Sequence, residues 1–127
     1  MASVGVDLPK RRVTTSELVA SCRHPLDADM ERLTGIRERR VCADGEDSYS
    51  MATAAAVDCL ERSGIDARDL DMLVSCSISK GCADLAYVYE PPMSVAIQRA
   101  IGAERALCFD VANACAGMVT GLSLIHI

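Results

Sequence analysis

Apolar and polar positions change their spacing several times along the chain, and each change marks an element. Residues 3–7 (Ser-Val-Gly-Val-Asp) are short and β-prone, and Leu8-Pro9 closes them. A helix is predicted after Thr14 or Thr15, with Ser16 in its first turn and Leu18 and Val19 as its apolar face. A second short helix over 28–33 is expected to stop at Gly35. Residues 37–41 then read as extended, with four charged residues ahead of Val41, and the Arg-Glu-Arg-Arg run reads as a solvated edge. The clearest helix covers 48–63. Ser48 can cap it, Ala52, Ala55, Ala56, Cys59 and Leu60 recur at helical spacing, and Gly64 falls where a helix ends. A polar link over 65–70 leads into 72–77, an apolar run of strand length that fits a parallel strand covered on both faces. Pro92 suits the first position of another helix, which carries Val95, Ile97, Ala100 and Ile101 before Gly102. Residues 106–111 form the next buried strand, followed by a segment of small residues.

Strands and helices thus alternate at short spacing, which predicts an α/β layered fold with a mostly parallel sheet. There is no internal repeat and no low-complexity stretch. The one long irregular segment, 78–91, holds Tyr87 and Tyr89, two of the three tyrosines.

Composition narrows the classes. At 127 residues the chain sets a prior of one domain, able to bury roughly two-thirds of its unfolded surface. Half the residues are hydrophobic, 24% are charged and mean hydropathy is +0.19, which excludes disorder. Aromatics are only 3%, and 13 basic against 18 acidic residues give a net charge of −5; both speak against a nucleic-acid partner. The most hydrophobic stretch, 106–122, is interrupted by Asp110 and Asn113, so no membrane span is expected. Lys10, Arg11 and Arg12 follow the first apolar residues instead of preceding them, unlike a signal peptide. Seven cysteines without a Cys-x-x-Cys pair read as reduced thiols of a cytoplasmic protein. Cys76 and Cys82 lack a second ligand pair and His24 is distant in sequence, so neither a metal nor a cofactor is expected.

The segment with candidate chemistry is 109–118, Phe-Asp-Val-Ala-Asn-Ala-Cys-Ala-Gly-Met. A buried strand ends, small residues turn the chain, and an apolar helix begins. Cys115 is therefore expected near a helix amino end, at the carboxyl edge of a parallel strand, where ligands gather in α/β sheets. The positive helix pole there favours thiolate over thiol, and the Cys115 amide can donate to an oxyanion. Ala112, Ala114, Ala116 and Gly117 leave room for a substrate. Asp110 reads as a buried strand-end carboxylate and Asn113 as a helix cap. Spacing alone leaves a packing cysteine and a catalytic one both open, since the histidine partner that such a nucleophile normally needs is not convincingly supplied by His24 or His126.

Several stretches are collinear with one known family: Leu8-Pro9 with Val13-Thr14 and Glu17-Leu18; Thr34-Gly35-Ile36-Arg37-Glu38-Arg39; Glu46-Asp47 with Met51-Ala52; Ser63-Gly64-Ile65-Asp66 with Asp69-Leu70-Asp71; Gln98 with Ile101-Gly102-Ala103; and Phe109-Asp110-Val111 with Ala114-Cys115-Ala116-Gly117. Together, from Val4 to Gly121, the chain resembles the N-terminal part of β-ketoacyl-acyl-carrier-protein synthase III in the thiolase-like superfamily. The resemblance implies half of a layered α-β-α fold. It makes Cys115 the nucleophile that takes an acyl group from an acyl thioester, on acyl carrier protein or coenzyme A. The acyl-enzyme then condenses with malonyl-acyl carrier protein to a 3-oxoacyl product. It also implies a homodimer, and places the partner histidine, asparagine and an oxyanion-hole glycine in the other half of the fold, so residues 1–127 alone are expected to be inactive.

Two departures stand out. Asp29 and Leu33 occupy positions where family members that take acyl-coenzyme A carry a tryptophan and an arginine for the nucleotide. The 80–91 segment is longer than usual, which makes Tyr87 and Tyr89 candidates for reshaping the acyl pocket. The resemblance fades near Gly121, and Leu122-Ser123-Leu124-Ile125-His126-Ile127 matches the translation of a transposon-end sequencing adapter, CTGTCTCTTATACACATC. Residues 122–127 are therefore expected to be a non-native tail, and His126 is excluded from any site. Within the superfamily a thiolase-like or hydroxymethylglutaryl-coenzyme A-synthase-like enzyme is the alternative, and outside catalysis a partner subunit with the same fold; the thiol at 115 weighs against the latter.

Overall fold

Short-range caps start and stop most of the helices. The computed structural model describes residues 3–24, 26–78, 80 and 89–126. In the compact unit formed by 8–46, β1 (Arg11–Thr14) runs antiparallel to β2 (Glu38–Val41), with Arg11 opposite Val41 and Thr14 opposite Glu38. Thr14 caps α1 (Thr15–Ala20): its hydroxyl accepts the Glu17 N–H, and the Glu17 carboxylate takes the Thr14 N–H at 2.8 Å. The N–H and hydroxyl of Thr14 hold that carboxyl below its ordinary range. α2 (Met30–Thr34) is capped by Asp29 and ends at Gly35, whose φ of 70° requires a residue without a side chain. The arginine run behaves as a solvated edge with local partners. Glu38 pairs with Arg12 at 2.6 Å, both half-exposed, Arg39 donates to the Thr15 hydroxyl, and Arg40 to the Pro9 carbonyl.

The second unit comprises 1–7 and 47–127. α3 (Ser48–Ser63) spans the expected residues, but its cap is Asp47, not Ser48: Asp47 and Ser50 satisfy one another's N–H groups. A single 3-10 turn at Ala67–Asp69 sits in the polar link. β3 (Met72–Ser75) pairs in parallel with β4 (Leu107–Asp110), Met72 opposite Leu107 and Ser75 opposite Asp110, as a layered α/β fold requires. α4 (Met93–Ile101) packs on α3, β3 and β4 and supplies Met93 and Ile97 to the core beside Ala103 and Ala106. Pro92 stands at the cap position, one place before the first helical residue where the sequence put it.

Residues 3–7 do not form a strand. Their expected β character finds no ladder partner among the described strands. They lie along α3 instead: Val6 N–H donates to Asp58 at 2.9 Å, and a side chain at Gly5 would collide with the Ala55 carbonyl and the Cys59 amide. The two strands are likewise not covered on both faces at their first residues, since Met72 of β3 and Leu107 of β4 are 39% and 61% exposed.

Candidate active site

β4 delivers the chain to its carboxyl edge at Asp110, where the Val111 N–H makes one more bond to the Ser75 carbonyl, 2.8 Å. Residues 114–116 then form a 3-10 turn and α5 (Gly117–Leu124) follows directly. Cys115 thus sits in the turn, two residues before α5, and is exposed. This is where the sequence placed it, between a parallel strand and a helix. Ala114 adopts φ +40°, a left-handed conformation that costs an alanine about 1 kcal/mol and kinks the backbone beside the thiol.

The turn is braced internally. Ala116 N–H bonds the Asn113 carbonyl at 2.9 Å and Gly117 N–H bonds the Ala114 carbonyl. The Cys115 amide has no partner among the described residues, and no side chain caps α5. Asn113 occupies the position before the turn, but its side chain is not the helix cap expected from sequence. Its amide donates to the Thr120 hydroxyl at 2.9 Å, and Thr120 in turn donates to the Ala116 carbonyl. The side chain is long enough to find a tertiary partner, which a local cap rule does not anticipate.

Asp110 is the buried strand-end carboxylate foreseen, with 8% of its side chain exposed. It accepts the Met93 N–H at 3.0 Å and the Ser94 N–H at 2.9 Å, so it caps α4 from another element, and Lys80 Nζ lies 2.7 Å away. Burial pushes its pKa up, but the Lys80 ammonium and the α4 donors outweigh burial and hold it at about 2.

Other cysteines differ in setting. Cys108 is half-buried, its thiol pushed up by burial and bonded to the Ala106 carbonyl. Cys76 follows β3 and presses its sulfur against Gly121 of α5. Tyr89 is 70% exposed, Tyr87 lies outside the described residues, and His24 and His126 are exposed. In the 8–46 unit a cavity of 410 Å³ is lined by Asp29, Glu31, Arg32, Gly35 and Arg37, acids and arginines without an aromatic platform.

A parallel strand pair backed by α4, with α3 packed on that helix and a cysteine on the turn into a following helix, places the fold in the thiolase-like α/β class. The solved structures agree. The priming β-ketosynthase of the R1128 polyketide pathway matches at 33% identity and a TM-score of 0.81, over 97% of this chain and 35% of that one. The 3-oxoacyl-acyl-carrier-protein synthase III of Aquifex aeolicus matches at 26% and 0.81, over 98% and 38%. The chain is a relative of β-ketoacyl-acyl-carrier-protein synthase III: it is 34% identical to that protein of Clostridium beijerinckii over 96% of its own length, and 36% identical to that of Desulfotalea psychrophila over 94%. It spans about 35% of the length of those relatives. No protein-family model matches it.

Proposed function

We propose that the complete protein is a condensing acyltransferase in which Cys115 carries the acyl group. The Cys115 thiolate attacks the carbonyl of an acyl thioester, on acyl carrier protein or coenzyme A. A bond forms from sulfur to the acyl carbon, and the carrier thiol leaves with a proton. The Cys115 amide, not consumed within its turn, donates to the oxyanion of that step. A malonyl thioester, on acyl carrier protein, then loses carbon dioxide, and its carbanion attacks the acyl carbon. This releases the Cys115 thiolate and a 3-oxoacyl thioester. Decarboxylation is assigned, by resemblance, to a histidine and an asparagine outside residues 1–127.

The observation that carries this reading is the exposed Cys115 on a left-handed turn between a parallel strand and a helix. Fatty-acid or related synthesis in the cytoplasm, as a homodimer, is the setting that the resemblance supports. Residues 122–127 remain proposed as a non-native tail, to be checked against the coding DNA. Tyr87 and Tyr89 are proposed to shape the acyl pocket; an acyl-chain preference unchanged when each is substituted by alanine removes them from that role.

The test is transfer from a radiolabelled acyl thioester to the complete protein, followed by peptide mapping. Label is expected on the peptide holding Cys115 and none on the Cys115→Ser variant. Label on any other cysteine overturns the reading. Residues 1–127 by themselves are expected to yield no 3-oxoacyl product.

A further inference from the structure

The Lys80–Asp110 pair has no part in the chemistry just described, yet it is the most enclosed ion pair among the described residues. Only 13% of the Lys80 side chain and 8% of the Asp110 side chain are exposed, at 2.7 Å separation. Exposed pairs of this kind contribute little, whereas an enclosed pair that loses one member strands a charge. The carboxylate also accepts the Met93 and Ser94 N–H groups. Three parts of the chain therefore meet on it: residue 80 beyond β3, the first turn of α4, and the last residue of β4.

The Cys115 turn departs from that last residue. Between Asp110 and the thiol lie the Val111–Ser75 bond and the left-handed Ala114. An alanine stays at positive φ only where its surroundings over-determine it. On the α5 side the Asn113–Thr120 bond does so. On the β4 side the anchored carboxylate is the fixed point.

We infer that Lys80 is a positioning residue for Cys115: by holding the Asp110 carboxylate it fixes the end of β4 and keeps Ala114 in the conformation that presents the thiol. The functional meaning rests on Cys115 being the acyl carrier; the coupling of Lys80 to the turn does not. Lys80 touches no reacting atom in this scheme and acts only through Asp110.

The test uses iodoacetamide on the complete folded protein, with the Cys115 labelling rate divided by that of Cys22, an exposed thiol that normalises for reagent reactivity, while the half-buried Cys108 of the same unit as Cys115 reports unfolding by a rise in its own labelling. Lys80→Met is expected to lower the ratio about five- to tenfold, the size of a coupling within one hydrogen-bonded network. Lys80→Arg restores most of it. In an Asp110→Asn background Lys80→Met changes nothing further. An unchanged ratio in Lys80→Met, or an equal drop in the Asp110→Asn background, overturns the inference. Should Lys80→Met fail to fold, the double variant, which strands no charge, is compared with Asp110→Asn alone: equal ratios support action through Asp110 and a further drop refutes it. Acyl transfer is measured in parallel. A ratio that responds to Lys80 while Cys115 takes up no acyl group removes the nucleophile reading and leaves the positioning role in place.

Discussion

The neighbouring strands β3 and β4 run in parallel, and each is followed by a cysteine, yet the two thiols meet opposite fates. Cys76 comes directly after Ser75, and its sulfur packs on Gly121 of α5. Cys115 comes five residues after Asp110, in a turn that Ala114 kinks, and is exposed. Residue type and strand-end position are shared. What differs is the intervening backbone: a direct exit turns the side chain into the packing of α5, and a left-handed turn lifts it clear. A cysteine at a strand end is therefore no indicator of chemistry until the turn that carries it is known.

The largest expected effect breaks the pair apart by function. In the complete protein, Cys115→Ser should lower condensation by about a thousandfold or more, the scale of losing a covalent nucleophile, with the unfolding midpoint nearly unchanged. Cys76→Ala should do the reverse, holding kcat within about twofold while lowering stability by about 1 kcal/mol through lost packing. Equal losses of kcat in both variants would erase the distinction.

The second effect comes from the acid side and bears on β4 alone. The folded Asp110 carboxyl titrates at about 2, below the 3.8 of a free aspartate. A depressed carboxyl stabilises the fold fully above the unfolded value and loses that contribution as pH falls through the folded one. The term is therefore whole above about pH 4, gone below about pH 2, and worth about 2 kcal/mol. Urea unfolding of the complete protein at pH 5, 3.5 and 2.5 should show this slope, and Asp110→Asn should flatten it. A variant that keeps the full slope would move the titration to other carboxylates.

Much of this was legible in the residues because its causes are local. The start of α1 at Thr14, the helical spacing over 48–63, and Gly35, Gly64 and Gly102 as helix ends all act within one turn of chain. The strand–turn–helix context of Cys115 was legible for the same reason. What escaped is non-local. Asp110 capping α4 joins residues 16 and 17 apart, and nothing near Lys80 points to its partner. Asn113 prefers Thr120 to its own backbone, and β-prone residues 3–7 meet no strand to pair with. Alternation and capping rules say which conformations a segment accepts; the partner decides among them.

A smaller effect sharpens the packing side of the comparison. A methyl group on Gly121 would collide with the Cys76 sulfur and lie 3.9 Å from Val74 Cγ1. Gly121→Ala should therefore cost about 1–2 kcal/mol by overpacking, and Cys76→Ala should recover most of it in the double variant, because the collision is with that one sulfur. Additive losses, measured by denaturant unfolding, would show that the helix is displaced by other contacts.

The smallest effect tests the kink itself. Glycine accepts a φ of +40° without the steric cost that alanine bears, but glycine also has more unfolded conformations to lose. The two terms oppose each other, each about 1 kcal/mol, so Ala114→Gly should change the unfolding midpoint very little while leaving the Cys115 alkylation rate within about twofold. Ala114→Val keeps the steric cost and adds a branched side chain that resists positive φ, so it should both destabilise by more than 1 kcal/mol and slow alkylation. The informative quantity is the difference between the two variants at Cys115. If valine leaves the thiol as reactive as glycine does, the left-handed residue is incidental, and exposure of Cys115 must come from the length of the 111–116 connection instead of its shape.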